Sequence, residues 1–556
     1  MRANDTAKVV NCAIFGNFAT SDGTGRMHVW DGKAECFVNC VGEVAPNTTC
    51  RAAASGFVST DGGNPRLLVS SACRDAGADY TTSGAVSATD LDGNPRVSGT
   101  AVDAGCYEYQ DTGAFDVAFE SSVRNVLVDT PVTFTVTALN AVGACSYGWD
   151  FDGDGTDDVT SGEPTAVWTF DTTTCGERAV RLTVSDSTTT RQMTRTGVIF
   201  VAPKVLYGDP ANAANAEYPF DTPAKAGVDL QQVVAAARSG SVILLADGTY
   251  SLEKELVLEH DIQMRSLSAV PAQCVLNMTK KMGWDFSFYS RVVRLNSAGA
   301  FISGLTLQNG YGIQANGSGA DLMIDGAGGT ASNCVLSAGQ AINYSGEGGG
   351  AYLKNGLLTG CLIQNCDCEN GFDQGVASAL CVAGGTAENC LILTNGFRMA
   401  NSGNAVTVRN GGKLLNCTVV GNRIQSGGKG KSDDARAGIS VDAKSTVVNC
   451  VSAGNVSDGV DSGDVAWCGT ATAFVNCATD ASEQPGETSV FADAGAFRDF
   501  AAYDLRPAAG GPLVNAGSES VTSSSVDLNG NPRLVGLRID IGCYEAGVKG
   551  LTIILR

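Results

Sequence analysis

Asn333-Cys334-Val335, Gly360-Cys361-Leu362, Asn389-Cys390-Leu391, Asn416-Cys417-Thr418, Asn449-Cys450-Val451 and Asn476-Cys477-Ala478 are one phrase written six times. The steps from Cys to Cys are 27, 29, 27, 33 and 27 residues. A fixed period in this range marks stacked supersecondary units. Between the phrases lie short β-rich runs. Asn404-Ala405-Val406-Thr407-Val408 alternates as a strand, Asn410-Gly411-Gly412 turns, and Lys413 to Val420 reads as a second strand region before Gly421-Asn422 turns again. No helical period intervenes, so each unit reads as strands joined by tight turns. Asn and Gly suit those turns because they tolerate left-handed backbone. The expected fold class is all-β, with a parallel β-helix in which each coil adds one rung to each sheet.

The recurring Cys are expected inside that stack as small buried side chains. Cys366-Asp367-Cys368 is too tightly spaced for a zinc site and has no second pair. The chain has 556 residues, 69 Gly, 20 Cys and 2 His, and 37 basic residues stand against 58 acidic ones, a net charge of −21. Phosphate binding needs a basic surface, so nucleic acid is excluded as a partner. No apolar run reaches the length of a membrane-spanning helix, and no signal peptide precedes Lys8-Val9-Val10-Asn11-Cys12.

Residues 1–110 repeat the end of the chain. Asn39-Cys40 recurs as Asn476-Cys477, Asp90-Leu91-Asp92-Gly93-Asn94-Pro95-Arg96 as Asp527 to Arg533, and Asp103 to Glu108 as Asp540 to Glu545, each at an offset of 437. The expected organisation is the tail of one unit of about 437 residues followed by a second unit. An open solenoid end at residue 1 would leave unpaired strands, so the N-terminal part of the natural chain is expected to lie outside this sequence.

Residues 111–203 change character. Val132 to Val136 alternates, then come Tyr147-Gly148-Trp149-Asp150-Phe151-Asp152-Gly153-Asp154-Gly155, Trp168-Thr169-Phe170, and Leu182-Thr183-Val184-Ser185-Asp186. Several short strands within a hundred residues predict a β-sandwich. These motifs resemble the PKD domain, with Asp152 as one extra residue before Gly153. The resemblance implies an immunoglobulin-like spacer without catalysis. Asp150, Asp152, Asp154 and Asp158 are spaced like carboxylates of a calcium loop, although Ser161 stands where such a loop wants Glu. Ca²⁺ is the candidate cofactor there. Cys145 and Cys175 are candidates for a disulfide in an oxidising compartment.

From residue 204 a solenoid is expected to run to 495, with a closing segment at 496–556. Leu230, Val233, Val234 and Ala237 share one helical face, Asp229 caps it and Gly240 stops it. This helix is expected to cover the first rung. The lid helix, the phrase Ala246-Asp247-Gly248-Thr249-Tyr250 and the Asn-Cys coils resemble the right-handed parallel β-helix, or pectin-lyase-like, superfamily. Asp527 to Glu545 resembles the closing signature of a choice-of-anchor family. Together these likenesses imply export and an extracellular or cell-surface location.

A hydrolase on such a scaffold needs two opposed carboxylates. A lyase needs metal-binding carboxylates beside an Arg or Lys base. Neither the hydrolase motifs nor a Gly-His-Gly phrase is found, and His28 and His260 lie outside the repeats. The candidate ligand-binding surface is three insertions at one phase of the coil. They hold Asp367, Glu369 and Asp373; Arg398; and Lys429, Lys431, Asp433, Asp434 and Arg436. Tyr311, Tyr344 and Tyr352 are candidate sugar-stacking residues. The expected function is that of a non-catalytic modular surface or secreted protein, an adhesin type contacting a polysaccharide or cell-surface glycan, monomeric within a longer multi-unit chain. The alternative is a polysaccharide lyase or glycoside hydrolase acting on acidic glycans.

Overall fold

A computed structural model describes residues 2–3, 9–14, 31–32, 37–42, 50–52, 57–59, 64–78, 87–279, 291–313, 318–342, 347–369, 376–398, 403–425, 438–458, 466–519 and 524–547. The chain divides into two compact units, Met1–Pro203 and Lys204–Arg556.

The second unit is a parallel β-solenoid. Each coil lays down up to four short strands, as in Phe301–Ser303, Thr306–Gln308, Tyr311–Ile313 and Leu322–Ile324, and each pairs in parallel with its counterpart in the next coil. Taken in that order, the first and second sheets have ten strands, the third six and the fourth eight. Inward residues form one continuous core from Leu206 to Cys477.

The Asn-Cys phrase is the corner between the first and second sheets. Asn333, Asn389, Asn416, Asn449 and Asn476 all have φ between +48° and +57°, and Gly360 takes the same role at +59°. The expected strand from Lys413 to Val420 is therefore two strands, Lys413–Leu415 and Thr418–Val420, with Asn416 turning between them. The Cys side chain follows the turn inward. Cys334, Cys361, Cys390, Cys417 and Cys450 each donate a thiol hydrogen bond, at 3.2 Å, to the carbonyl two residues back. The amides of Cys334, Cys390 and Cys417 donate to the sulfur one rung on at 3.4 Å. A thiol is small enough for the corner and still engages its backbone groups, which an apolar side chain of that size cannot do.

The helix is Leu230–Ala236 and ends before Gly240. The Asp229 carboxylate accepts the Gln231 amide at 2.9 Å, satisfying one of the helix's free N-terminal donors. Leu230, Val233 and Ala236 are buried against Leu206, Ile243 and Leu256 of the first coils. Burying Leu230 and Val233 stabilises this end by about 1.5–3 kcal/mol each.

At the other end of the sequence, residues 496–519 and 524–547 lie along the flank of the solenoid. Phe497, Leu505, Leu513, Ile541 and Cys543 cover Leu391, Val420 and Val451, the outward residues of the second sheet. Asn449 anchors this segment. Its side chain bonds Ser518 in both directions, at 2.9 and 2.8 Å, and its carbonyl accepts the Gly542 amide at 2.8 Å.

The first unit contains the same anchor. Asn11 bonds Ala78 in both directions, at 2.7 and 2.9 Å, and accepts the Gly105 amide at 2.8 Å. Asp90 and Asp527 each accept the amides two and four residues on, at 2.9 and 2.8 Å. The sequence offset of about 437 is thus also an equivalence of hydrogen bonds. Residues 115–202 of this unit form two sheets, one of three strands and one of five. Both contribute to a shared core around Phe119, Phe134, Trp149 and Phe151. Cys145 and Cys175 are not joined in a disulfide.

Candidate functional site

The corner between the second and third sheets is also left-handed. Asn309, Ala338, Asn365, Thr394, Gly421 and Gly454 occupy it in successive coils, with φ from +55° to +66°. The next residue in each coil points inward, and in the later coils it is Asn. Asn395, Asn422 and Asn455 stack there, buried. The Asn422 Oδ1 accepts both the amide and the side-chain amide of Asn395, each at 3.0 Å, and Asn422 donates to Asn455 at 2.8 Å.

In the earlier coils the inward position is Gly310 and Gly339, and a carboxyl takes the place of the amides. Asp321 is fully buried, accepts the Gly310 amide at 3.0 Å, and receives the Cys366 thiol at 3.6 Å. Burial raises its pKa well above the usual carboxylate value, against the pull of those donors. A raised folded-state value means that the stability Asp321 contributes is complete below about pH 4, the ordinary Asp value, and is lost as pH climbs through the folded value. Asp321→Asn, neutral and of equal size, is expected to flatten the fall in stability above pH 4. Urea midpoints at pH 4, 6 and 8 test this. Parallel pH profiles for the variant and the wild type would refute it.

One residue further on, the chain enters the third sheet facing outward. Gln340, Asp367, Gly396 and Arg423 stand in register on four successive strands. Gly396, between the acid and the base, has no side chain. A Cβ at Gly396 would lie 3.7 Å from the Asp367 carboxylate. The result is a groove of about 540 Å³, walled on one side by this row and on the other by the corner residues Ala338, Asn365, Thr394 and Gly421. The Thr394 hydroxyl donates to the Asn365 side chain at 3.0 Å, fixing the corner wall. The groove thus offers a carboxylate, a guanidinium, two side-chain amides and a hydroxyl, all on a backbone held by parallel pairing.

The residues singled out in the sequence are redistributed by this geometry. Asp367 and Glu369 are not in an insertion loop but on the strand Asp367–Glu369. Arg398 likewise ends the strand Gly396–Arg398, in register with Glu369. The left-handed corner returns the chain to the ladder sooner than hydrophobic patterning shows, because strands of three residues carry too few positions to display a period. Asp373, Lys429, Lys431, Asp433, Asp434, Arg436 and Tyr344 lie outside the described residues. Arg423, unremarked in the sequence, belongs to the site. Its signal was present as the same offset from the corner that Asp367 has.

On the fourth sheet, Arg409 pairs with the Glu347 carboxylate and donates to the Tyr352 hydroxyl at 3.3 Å, while the Cys381 thiol donates to Glu347 at 3.5 Å. Burial raises both the Glu347 and the Tyr352 pKa. Glu347, Tyr352 and Cys381 are each tied to a partner on another coil, so the cluster braces adjacent rungs. Tyr352 belongs to this brace, and Tyr311 opens the outward row of the third sheet.

In the first unit, Asp150, Asp152 and Asp158 bring one carboxylate oxygen each within 4.8 Å of one another. Asp154 is not among them. Its carboxylate turns to the Thr156 hydroxyl and amide, and those bonds lower its pKa. Asp150 accepts the amides of Gly153 and Gly155, and Arg181 stands 3.1 Å from its second oxygen. Calcium takes six to eight oxygens, whereas this cluster brings together three carboxylates, the most buried of which is already paired with a guanidinium. The residues fit a turn tied by its own amides better than a resident Ca²⁺.

No family model matches the chain. No curated protein matches it either. Among solved structures, the pectate lyase Pel9A is similar at 13% identity and a TM-score of 0.37, covering 62% of this chain and 97% of that one. The pectin methylesterase from Aspergillus niger is similar at 16% identity and a TM-score of 0.30, covering 54% and 87%. The solenoid assignment rests on the in-register parallel strands themselves.

Proposed function

We propose that the chain is a non-catalytic modular protein of the cell surface or extracellular space that contacts glycans through the groove on the third sheet. On this reading the two-sheet region at 111–203 is a PKD-like, immunoglobulin-type spacer, and the closing segments at 87–109 and 524–546 are one anchor-type module used twice. The observation that carries the reading is the row Gln340–Asp367–Gly396–Arg423. It places a carboxylate and a guanidinium on strands two rungs apart, about 10 Å for strands about 4.8 Å apart, along one wall of the groove. Polyhydroxylated ligands need such spaced, convergent polar groups on a rigid frame.

A glycan array probed with wild type, Asp367→Ala and Arg423→Ala tests this. Hydrogen bonds to charged groups contribute about 1.5–3 kcal/mol each, so each variant is expected to lose about tenfold or more in affinity with its melting temperature unchanged. An array on which nothing binds would remove the contact reading. Formation of an unsaturated uronate, assayed with and without Ca²⁺, would replace the non-catalytic reading with that of a lyase.

A further inference from the structure

The corner wall of the groove changes character along its length. Its early positions carry side chains, Asn365 and Thr394, but its last is Gly421, and the corner residue one rung beyond the groove is Gly454. Aromatic rings from elsewhere in the chain fill the space those glycines leave. The hairpin Phe497–Asp499 and Asp504–Pro507 has a four-residue tip, closed by the Tyr503 amide on the Phe500 carbonyl at 3.2 Å. Phe500 lies over Gly454, where a Cβ would come within 2.4 Å of its ring. Tyr503 lies over Gly421, where a Cβ would be 3.4 Å from both its Cε1 and its hydroxyl.

The two rings differ. Phe500 packs into the apolar cluster beneath the hairpin. Tyr503 remains 48% exposed and adopts φ +56°, a left-handed conformation that is an outlier for a bulky residue. A strained, exposed aromatic at the margin of a polar groove is an arrangement that packing alone does not require.

We infer that Tyr503 is the stacking platform of the groove and that the ligand is a linear, uncharged glycan, one pyranose ring lying on Tyr503 while its neighbours reach Arg423 and Asp367. This rests on the glycan-contact reading of the same groove. A pyranose ring has an apolar face that matches an aromatic ring and hydroxyls at its rim that match Asn365, Thr394 and Gln340. Neutrality of the ligand follows from charge. Among the described residues the groove carries one carboxylate and one guanidinium, and the whole chain has a net charge of −21, so a polyanion is repelled overall and these residues offer it no net positive charge.

Cellohexaose and mannohexaose are the neutral probes and hexagalacturonate the acidic one, titrated calorimetrically against wild type, Tyr503→Phe and Tyr503→Gly. At least one neutral hexasaccharide is expected to bind more tightly than hexagalacturonate. Tyr503→Phe is expected to stay within about twofold of wild type, since the ring persists. Tyr503→Gly is expected to lose about tenfold or more in affinity while its melting temperature rises, because glycine relieves the left-handed strain. Binding and stability moving in opposite directions is a signature that a purely structural tyrosine cannot produce. Equal affinity in Tyr503→Gly, tighter binding of hexagalacturonate, or no binding of either neutral probe overturns the inference. If array ligands are lost in Asp367→Ala but kept in Tyr503→Gly, this inference fails and the glycan-contact reading stands. If the array yields no ligand at all, both fail.

Discussion

Asn422→Ala is expected to lower the stability of the solenoid by roughly 3–5 kcal/mol, since each buried group left without a partner costs about 1–3 kcal/mol. Asn422 is the middle of the inner amide stack. Its Oδ1 accepts two hydrogen bonds from Asn395, and its Nδ2 donates to the Ile392 carbonyl at 3.2 Å and to Asn455 at 2.8 Å. Alanine removes all of these, and water has no access to the orphaned amide and side-chain donors of Asn395. Because rungs contact mainly their neighbours, the loss is expected to weaken the coupling of adjacent coils as well as one corner. Asn365 is the control. It is exposed and left-handed, with φ +55°, so Asn365→Gly should stay within about 0.5 kcal/mol of wild type. Urea unfolding of both variants decides the matter. A midpoint for Asn422→Ala no lower than that of the control would show that the amide stack does not hold the coils.

Arg533→Ala is expected to release the closing segment from the flank of the solenoid. Arg533 pairs with Glu545 at 2.9 Å with both side chains almost fully buried, at 3% and 2% exposure, and it also donates to the Gly542 carbonyl at 2.5 Å. Removing one member of a buried pair typically costs about 3–5 kcal/mol, because the other is left charged or must take up a proton. The second course is open to Glu545. Burial pushes its pKa up to about 8, with the Asp540 carboxylate adding to the rise against the attraction of Arg533. The variant's loss is therefore expected to be smallest at acid pH, where Glu545 is protonated without penalty, and to grow as pH rises through 8. Arg533→Lys keeps the charge but not the planar fork that reaches Glu545 and Gly542 together, and should fall between the two. Hydrogen exchange of the amides of Asn515, Gly517 and Ile541 against those of Asn395 and Asn422 separates release of the segment from global unfolding. Exchange in Arg533→Ala as slow as wild type at pH 8 would sink the prediction.

The solenoid was legible because its corners are chemically demanding. A left-handed turn favours Asn or Gly, and the cramped position after it favours Cys, so the phrase recurs wherever the coil does. The same logic exposed the lid helix through Asp229 and the duplicated closing segment through Asp527 and Asp540. The extent of individual strands was less visible. Lys413 to Val420 read as one strand because Asn416 can sit in a strand or a turn, and three-residue strands show no alternation. The site was harder still. Asp367 was noticed for its charge but placed on a loop, and Arg423 and Tyr503 drew no notice at all, since exposed residues obey no periodic rule.

What the sequence by itself determined is therefore the repeat: the number of residues per coil, the chemistry of its corners, and the fact that its end is written twice. What the tertiary structure decided is which outward residues meet. Asp367 and Arg423 are two coils apart in the chain, and the tip that lays Tyr503 over Gly421 comes from a hairpin beyond the last coil. Burial constrains the inward residues one coil at a time, so their pattern survives in the sequence. The groove is made by register and by an element folding back across many coils, and neither leaves a local trace.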